Sequence, residues 1–152
     1  MEVAEVMTPA SVTDGPDQTI RAAAARMWEQ QTGSLLVIED RRLIGIVTER
    51  DLLRAVGQGK DVDGTTVADV MSTSLVTVDP DTSVHVAARL MAANWIRHLP
   101  VLADEQVVGV ISLRDLAAVL AALGPAGSEQ RLPADELVRA RRLARIEAGD
   151  LD

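Results

Sequence analysis

The 152-residue sequence contains no cysteine, tyrosine or phenylalanine, and its aromatic side chains are limited to two tryptophans. The absence of cysteine excludes disulfides, thiolate zinc sites and thiol nucleophiles, and it fits a reducing compartment. The scarcity of aromatic side chains means that a planar ligand would be held mainly by aliphatic side chains and backbone. Hydrophobic residues nevertheless make up 47% of the chain, which is enough for a globular core.

Basic residues are also few, and the formal net charge is −8. Binding to nucleic acid requires clustered cations, so it is not expected. No apolar run approaches the roughly 20 residues that cross a bilayer, and the start of the chain is acidic where a secretory signal is basic. The sequence therefore predicts a cytoplasmic protein that binds neither nucleic acid nor membranes.

Groups that commonly perform catalysis are scarce as well. The only histidines are His85 and His98, and neither a His-x-x-x-His motif nor a nucleophile elbow is present. Metal ligands other than carboxylates are few, so a magnesium ion would arrive with a nucleotide. The sequence predicts neither an enzyme nor a resident metal site.

What the sequence does contain is an internal duplication at an offset of 64 residues. Residues 3–7 align with 67–71, and the match continues without a gap to Leu52 and Leu116. A duplicated unit this short is expected to bury its apolar faces against its copy, which creates paired clefts about an approximate two-fold axis. The predicted organisation is a first repeat at 1–57, a polar linker at 58–65, a second repeat at 66–123 and a tail at 124–152.

Both repeats predict the same order of elements: a short helix, a brief strand, a proline-containing turn, a long helix, a two-stranded hairpin and a closing helix. Thr19 and Ser83 are the predicted N-caps of the long helices, and the closing helices are predicted at 49–57 and 113–123. One more helix is predicted at 133–148, as a solvated appendage or as a contact with a partner.

Two related strings, at residues 45–51 and 109–115, carry the candidate chemistry. Each has a hydroxyl residue at the end of a strand and an aspartate three residues later, namely Thr48 with Asp51 and Ser112 with Asp115. One interpretation is a capping box, although that motif prefers Glu or Gln at the third position. The other is nucleotide recognition, because a helix N-terminus attracts phosphate and a carboxylate can accept hydrogen bonds from both ribose hydroxyls.

Further motifs accompany these strings, namely Val6-Met7-Thr8, Val12-Thr13, the proline turns and His98-Leu99-Pro100-Val101. On these motifs, residues 3–122 resemble the tandem CBS-domain (cystathionine beta-synthase domain) pair, or Bateman module. The resemblance implies an α+β fold in which two β-α-β-β-α repeats pack through their sheets about a pseudo-two-fold axis; a C-terminal helix is added here. It also implies two clefts for an adenosine-containing ligand, namely AMP, ADP, ATP or S-adenosylmethionine, with no required cofactor.

The resemblance also implies the nucleotide-binding residues. The aspartates would bind ribose, the hydroxyl residues would lie near ribose or phosphate, and neighbours of the first strands would contact the base. The candidates are Thr48, Asp51, Ser112, Asp115, Val12, Thr13, Val76 and Thr77.

Two further candidates, Arg97 and His98, stand where the first repeat has Gly33 and Ser34. In similar modules basic residues at this point contact ligand phosphates across the axis, which would assign them to the cleft of Asp51. The alternatives are a solvated cation and a hydrogen-bonded structural histidine. We expect unequal clefts, with that of Asp51 preferring phosphorylated adenosine.

The expected function is that of a regulatory sensor, which transmits ligand binding to an effector protein or to a second copy in a homodimer. A ligand-free dimerisation or scaffold module with degenerate clefts is the alternative. A nucleotide-hydrolysing enzyme is a third class, against which the missing general base argues.

Overall fold

The protein is described by a computed structural model over residues 1–9 and 13–123. Residues 1–119 form one compact unit, and the chain from residue 120 belongs to a second unit, which is described only to residue 123. Val12 and the helix predicted at 133–148 lie outside the described residues.

The elements follow the predicted order in the first repeat and, apart from the brief strand before the proline turn, in the second. The first repeat contains a 3₁₀ turn (Val3–Glu5), β1 (Thr8–Pro9), β2 (Thr13–Asp14), α1 (Ile20–Gln30), β3 (Ser34–Glu39), β4 (Arg42–Thr48) and α2 (Glu49–Gly57). The second contains α3 (Val67–Val70), α4 (Val84–Asn94), β5 (His98–Ala103), β6 (Gln106–Ser112) and α5 (Leu113–Leu123). The strand expected to end at Thr77 is reduced, in the described residues, to a single bridge between Val78 and Val101.

Local chemistry explains where these elements begin and turn. Thr19 Oγ1 accepts a hydrogen bond from the Ala22 N–H at 3.1 Å, and Ser83 Oγ accepts one from the Val86 N–H at 3.2 Å, which confirms both predicted N-caps. Both hairpins turn through two residues with positive φ, as in type I′ turns. These residues are Asp40, Arg41, Asp104 and Glu105.

The leading segment of each repeat crosses to the sheet of the other repeat. The two three-stranded sheets have the orders β2-β3-β4 and β1-β6-β5, so β1 of the first repeat extends the sheet of the second, with Thr8 paired to Val110. The leading segment of the second repeat likewise pairs with the sheet of the first repeat, through a bridge between Ser72 and Ile46. The repeats are therefore interlocked.

The hydrophobic cores show the same exchange. Fully buried Val3 belongs to the core built from the second repeat, which includes Leu99 and Ile111, whereas Val67 belongs to the core of the first repeat with Leu35 and Val47. Strands β4 and β6 bring the two sheets into contact. Each core is thus completed by a residue from the other repeat.

The glycine of the second string makes room for the crossing segment. A Cβ atom on Gly109 would lie 2.6 Å from Met7 Sδ and 2.9 Å from the Thr8 carbonyl oxygen. Gly45 is packed in the same way against Met71. The strings therefore need glycine at these positions because the leading segment of the other repeat lies directly on the strand.

Candidate functional site

Both Thr/Ser-x-x-Asp strings form capping boxes at the start of α2 and α5. The Thr48 N–H donates to Asp51 Oδ2 at 2.7 Å, and the Ser112 N–H donates to Asp115 Oδ2 at 3.0 Å. The hydroxyl groups donate to the same carboxylate oxygens, at 3.0 Å and 2.6 Å respectively. The shorter aspartate side chain therefore closes the box despite the general preference for Glu or Gln.

The second carboxylate oxygen has a different environment in the two repeats. Asp51 Oδ1 lies 3.9 Å from Arg54 Nη2. For Asp115 Oδ1, the described residues provide neither a hydrogen bond nor an ion pair. Capping and ligand binding are thus compatible, and Asp115 has the oxygen that is more available to a ligand.

A cavity of about 570 Å³ lies beside the start of α5. Its lining comes from the crossing β1, from the end of α1, from the start of α2 and from the adjoining ends of β5 and β6. The lining residues are Thr8, Pro9, Gln30, Gln31, Thr32, Gly33, Ser34, Leu36, Glu49, Arg97, His98, Val110, Ser112, Leu113, Arg114, Asp115 and Ala117. Both repeats therefore contribute to one cavity.

Four of the predicted site residues line this cavity together: Arg97, His98, Ser112 and Asp115. The sequence assigned Arg97 and His98 to the cleft of Asp51, whereas here they line a cavity with Asp115. The β5–β6 register explains why, since His98 pairs directly with Ser112 and the Leu113 N–H donates to the Arg97 carbonyl at 2.8 Å.

The remaining candidates do not line this cavity. They are Thr48, Asp51, Thr13, Val76 and Thr77, while Val12 falls outside the described residues. Thr13 pairs with Leu36 in the other sheet, and Val76 packs against the core of the second repeat.

Several lining residues were not identified from the sequence. Thr8 and Pro9 follow the leading helix in sequence and enter the cavity because β1 crosses to the other sheet. Glu49 is the first residue of α2. The sequence feature that could have identified it is its position directly after Thr48 in the first string. The crossing itself leaves no local signal, because both repeats have the same leading segment.

Charged groups of both signs surround His98. Burial lowers the pKa of this imidazole below its ordinary value, and neighbouring Arg97 lowers it further. The carboxylates of Glu49 and Asp115 act in the opposite direction and do not outweigh the burial. His98 is therefore mainly uncharged near neutral pH.

Residues 1–9 and 13–123 contain no group of three or more His, Asp and Glu side chains that could hold a metal ion. Within the same ranges, no helix has both the length and the apolar character to cross a membrane.

Known proteins share this architecture. The CBS domain family matches residues 3–58 and 67–122. CBS domain-containing protein YhcV of Bacillus subtilis is 41% identical over 116 residues, which are 76% of this chain and 82% of YhcV. The crystal structure of the CBS domain protein NE2398 matches with a TM-score of 0.74 at 32% identity, covering 82% of this chain and 98% of that one.

The CBS domain pair of protein MJ0100, solved in complex with 5′-methylthioadenosine and S-adenosyl-L-methionine, has the same fold. Its TM-score is 0.76 at 23% identity, over 82% of this chain and 98% of that one. With both repeats matched and the sheets arranged as described, the chain belongs to the CBS-domain family, as a tandem pair.

Proposed function

We propose that this CBS pair is a non-catalytic regulatory module that binds an adenosine-containing ligand in the cavity of Ser112 and Asp115. CBS pairs are generally regulatory and often bind adenosyl ligands. The observation that carries the proposal is Asp115, which lines a cavity of about 570 Å³ beside a helix N-terminus and whose Oδ1 has no hydrogen-bond or ion-pair partner among the described residues. That volume lies within the usual range for small-molecule sites.

Each part of an adenosyl ligand has a matching group in the cavity. Asp115 Oδ1 would accept hydrogen bonds from the ribose hydroxyls. Arg97, His98 and the N-terminus of α5 would face the 5′-substituent. Thr8, Pro9 and Val110 offer an aliphatic and backbone wall for the base, consistent with the scarcity of aromatic residues.

The cleft of Thr48 and Asp51 remains a proposed second site, with base contacts from Thr13, Val76 and Thr77. Arg54 near Asp51 Oδ1 would compete there with ribose hydroxyls, so we propose that this site is the weaker one. This reverses the preference expected from the sequence.

Signal transmission would follow from the composition of the cavity wall. Gly33 and Glu49 come from the first repeat, whereas His98 and Asp115 come from the second. A ligand that contacts both repeats favours one relative packing, which an effector protein or a second copy can detect.

Sedimentation velocity with and without ligand tests the proposed homodimer.

Calorimetric titration with AMP tests the assignment of the site. We expect Asp115→Asn to weaken binding by about tenfold or more, because a charged acceptor for ribose is lost while an oxygen that can cap α5 remains. Asp51→Asn is the matched control and should weaken binding at the Asp115 cavity by less than about threefold.

Equal losses in the two variants, or a larger loss in Asp51→Asn, would contradict this assignment. If the wild-type protein binds neither AMP, 5′-methylthioadenosine nor S-adenosylmethionine, the ligand-free scaffold module becomes the better description. Steady hydrolysis of ATP by the pure protein would instead support an enzyme.

A further inference from the structure

Glu49 of the first repeat places a negative charge in the cavity that the equivalent residue of the second repeat lacks. It is the first residue of α2 and lines the cavity, and the equivalent position at the start of α5 is Leu113. The duplication therefore provides an internal comparison, in which the same position carries a carboxylate in one repeat and an aliphatic side chain in the other.

The Glu49 carboxylate lies close to His98 of the second repeat. A Cβ atom on Gly33 would be 3.0 Å from Glu49 Oε1 and 3.3 Å from His98 Nε2, so both side chains lie against this glycine. The residue equivalent to Gly33 in the second repeat is Arg97. The absence of a side chain at residue 33 thus allows the carboxylate and the imidazole to approach each other from the two repeats.

The charges along the cavity wall nearly cancel. Glu49 and Asp115 contribute carboxylates, and Arg97 and Arg114 contribute guanidinium groups. His98 adds little positive charge near neutral pH, because burial lowers its pKa. A ligand with three phosphates would place several negative charges close to Glu49, in a cavity whose lining has no net positive charge to balance them.

We propose that Glu49 is a specificity-determining residue, which makes this cavity select adenosyl ligands with an uncharged or zwitterionic 5′-substituent over nucleoside triphosphates. This inference rests on the proposed function of the cavity. A like charge repels a triphosphate, whereas a thioether is unaffected, so the discrimination is partly repulsive in origin. The amino-acid group of a zwitterionic ligand could also pair its ammonium with Glu49 and its carboxylate with Arg97.

The test compares the dissociation constants of ATP and 5′-methylthioadenosine, measured by calorimetry at neutral pH. We expect Glu49→Gln to tighten ATP binding by about fivefold or more, the effect of one unit charge at about 4 Å in water, and to leave 5′-methylthioadenosine within about twofold. Glu39→Gln is the matched control, because it removes the same charge from the exposed far end of β3, outside the cavity lining.

The outcomes separate this inference from the proposed function. If both ligands bind and their ratio of dissociation constants is the same in wild type and Glu49→Gln, the inference is overturned and the proposed function stands. A wild-type preference for ATP also overturns it. If neither ligand binds the wild-type protein, the proposed function is wrong and the inference that rests on it falls as well. Melting temperatures show whether each variant is folded.

Discussion

At the residue scale, the first repeat buries a carboxylate beside a half-exposed arginine where the second repeat has aliphatic residues. Asp14 is 5% exposed, and its Oδ2 has no hydrogen-bond partner among the residues that the structure describes. Arg26 lies 3.6 Å from Asp14 Oδ1 and donates to the Thr13 carbonyl. The equivalent residues in the second repeat are Val78 and Leu90. A buried carboxylate that depends on a half-exposed arginine is a costly arrangement.

The two members of this pair should respond differently to substitution. We expect Arg26→Leu to lower the free energy of unfolding by about 1–3 kcal/mol, because it leaves the Asp14 carboxylate buried without its cation. The double variant Asp14→Val/Arg26→Leu should return to within about 1 kcal/mol of wild type, since it reproduces the aliphatic pair of the second repeat. Urea denaturation measures both, and a double variant as unstable as Arg26→Leu would refute the explanation.

The lowered pKa of His98 makes stability depend on pH. The unfolded chain, in which histidine has its ordinary pKa of 6.5, binds more protons than the folded protein below that pH. The free energy of unfolding should therefore decrease as the pH falls through about 6.5. We expect His98→Gln to lose less stability than wild type between about pH 7.5 and pH 5.

Urea denaturation at the two pH values measures this difference. The control is His85→Gln, at an exposed position on α4, which should retain the wild-type dependence. If the pH dependence of His98→Gln equals that of wild type, His98 is not the group responsible.

At the scale of elements, the sequence predicted local structure well and the crossing of the leading segments not at all. The N-caps at Thr19 and Ser83, the hairpins and the closing helices depend on neighbouring residues, so sequence patterns specify them. The pairing of β1 with β6 is non-local, and two copies of one leading segment fit either sheet equally well by pattern. The sequence suggested that Arg97 and His98 serve the cleft of Asp51, whereas the cavity that they line contains Asp115.

The crossing predicts that a residue close to the chain start matters to the distant core. Val3 is fully buried among residues of the second repeat. We expect Val3→Ala to lower the free energy of unfolding by about 2 kcal/mol, because two buried methyl groups are lost and a cavity remains. The control Val56→Ala removes the same atoms at a position that is 61% exposed. An equal effect in both variants would argue against the exchange of core residues.

At the scale of the whole molecule, the duplication produces two related cores and an unequal distribution of charge. The interlocked leading segments join the repeats, and the cavity beside α5 takes its wall from both. The sequence predicted that the clefts would be unequal from the contrast between Gly33-Ser34 and Arg97-His98. The β5–β6 register places the basic pair in one cavity with Asp115, because His98 pairs directly with Ser112.

The proposed function requires that ribose binds at Asp115, in the cavity that both repeats line. The most direct measurement is a crystal structure of the protein with saturating 5′-methylthioadenosine. The expected result is a ribose whose hydroxyl groups lie within hydrogen-bond distance of Asp115 Oδ1, with the 5′-substituent toward Arg97 and Glu49. A ligand bound at Asp51 while the Asp115 cavity stays empty would contradict the claim.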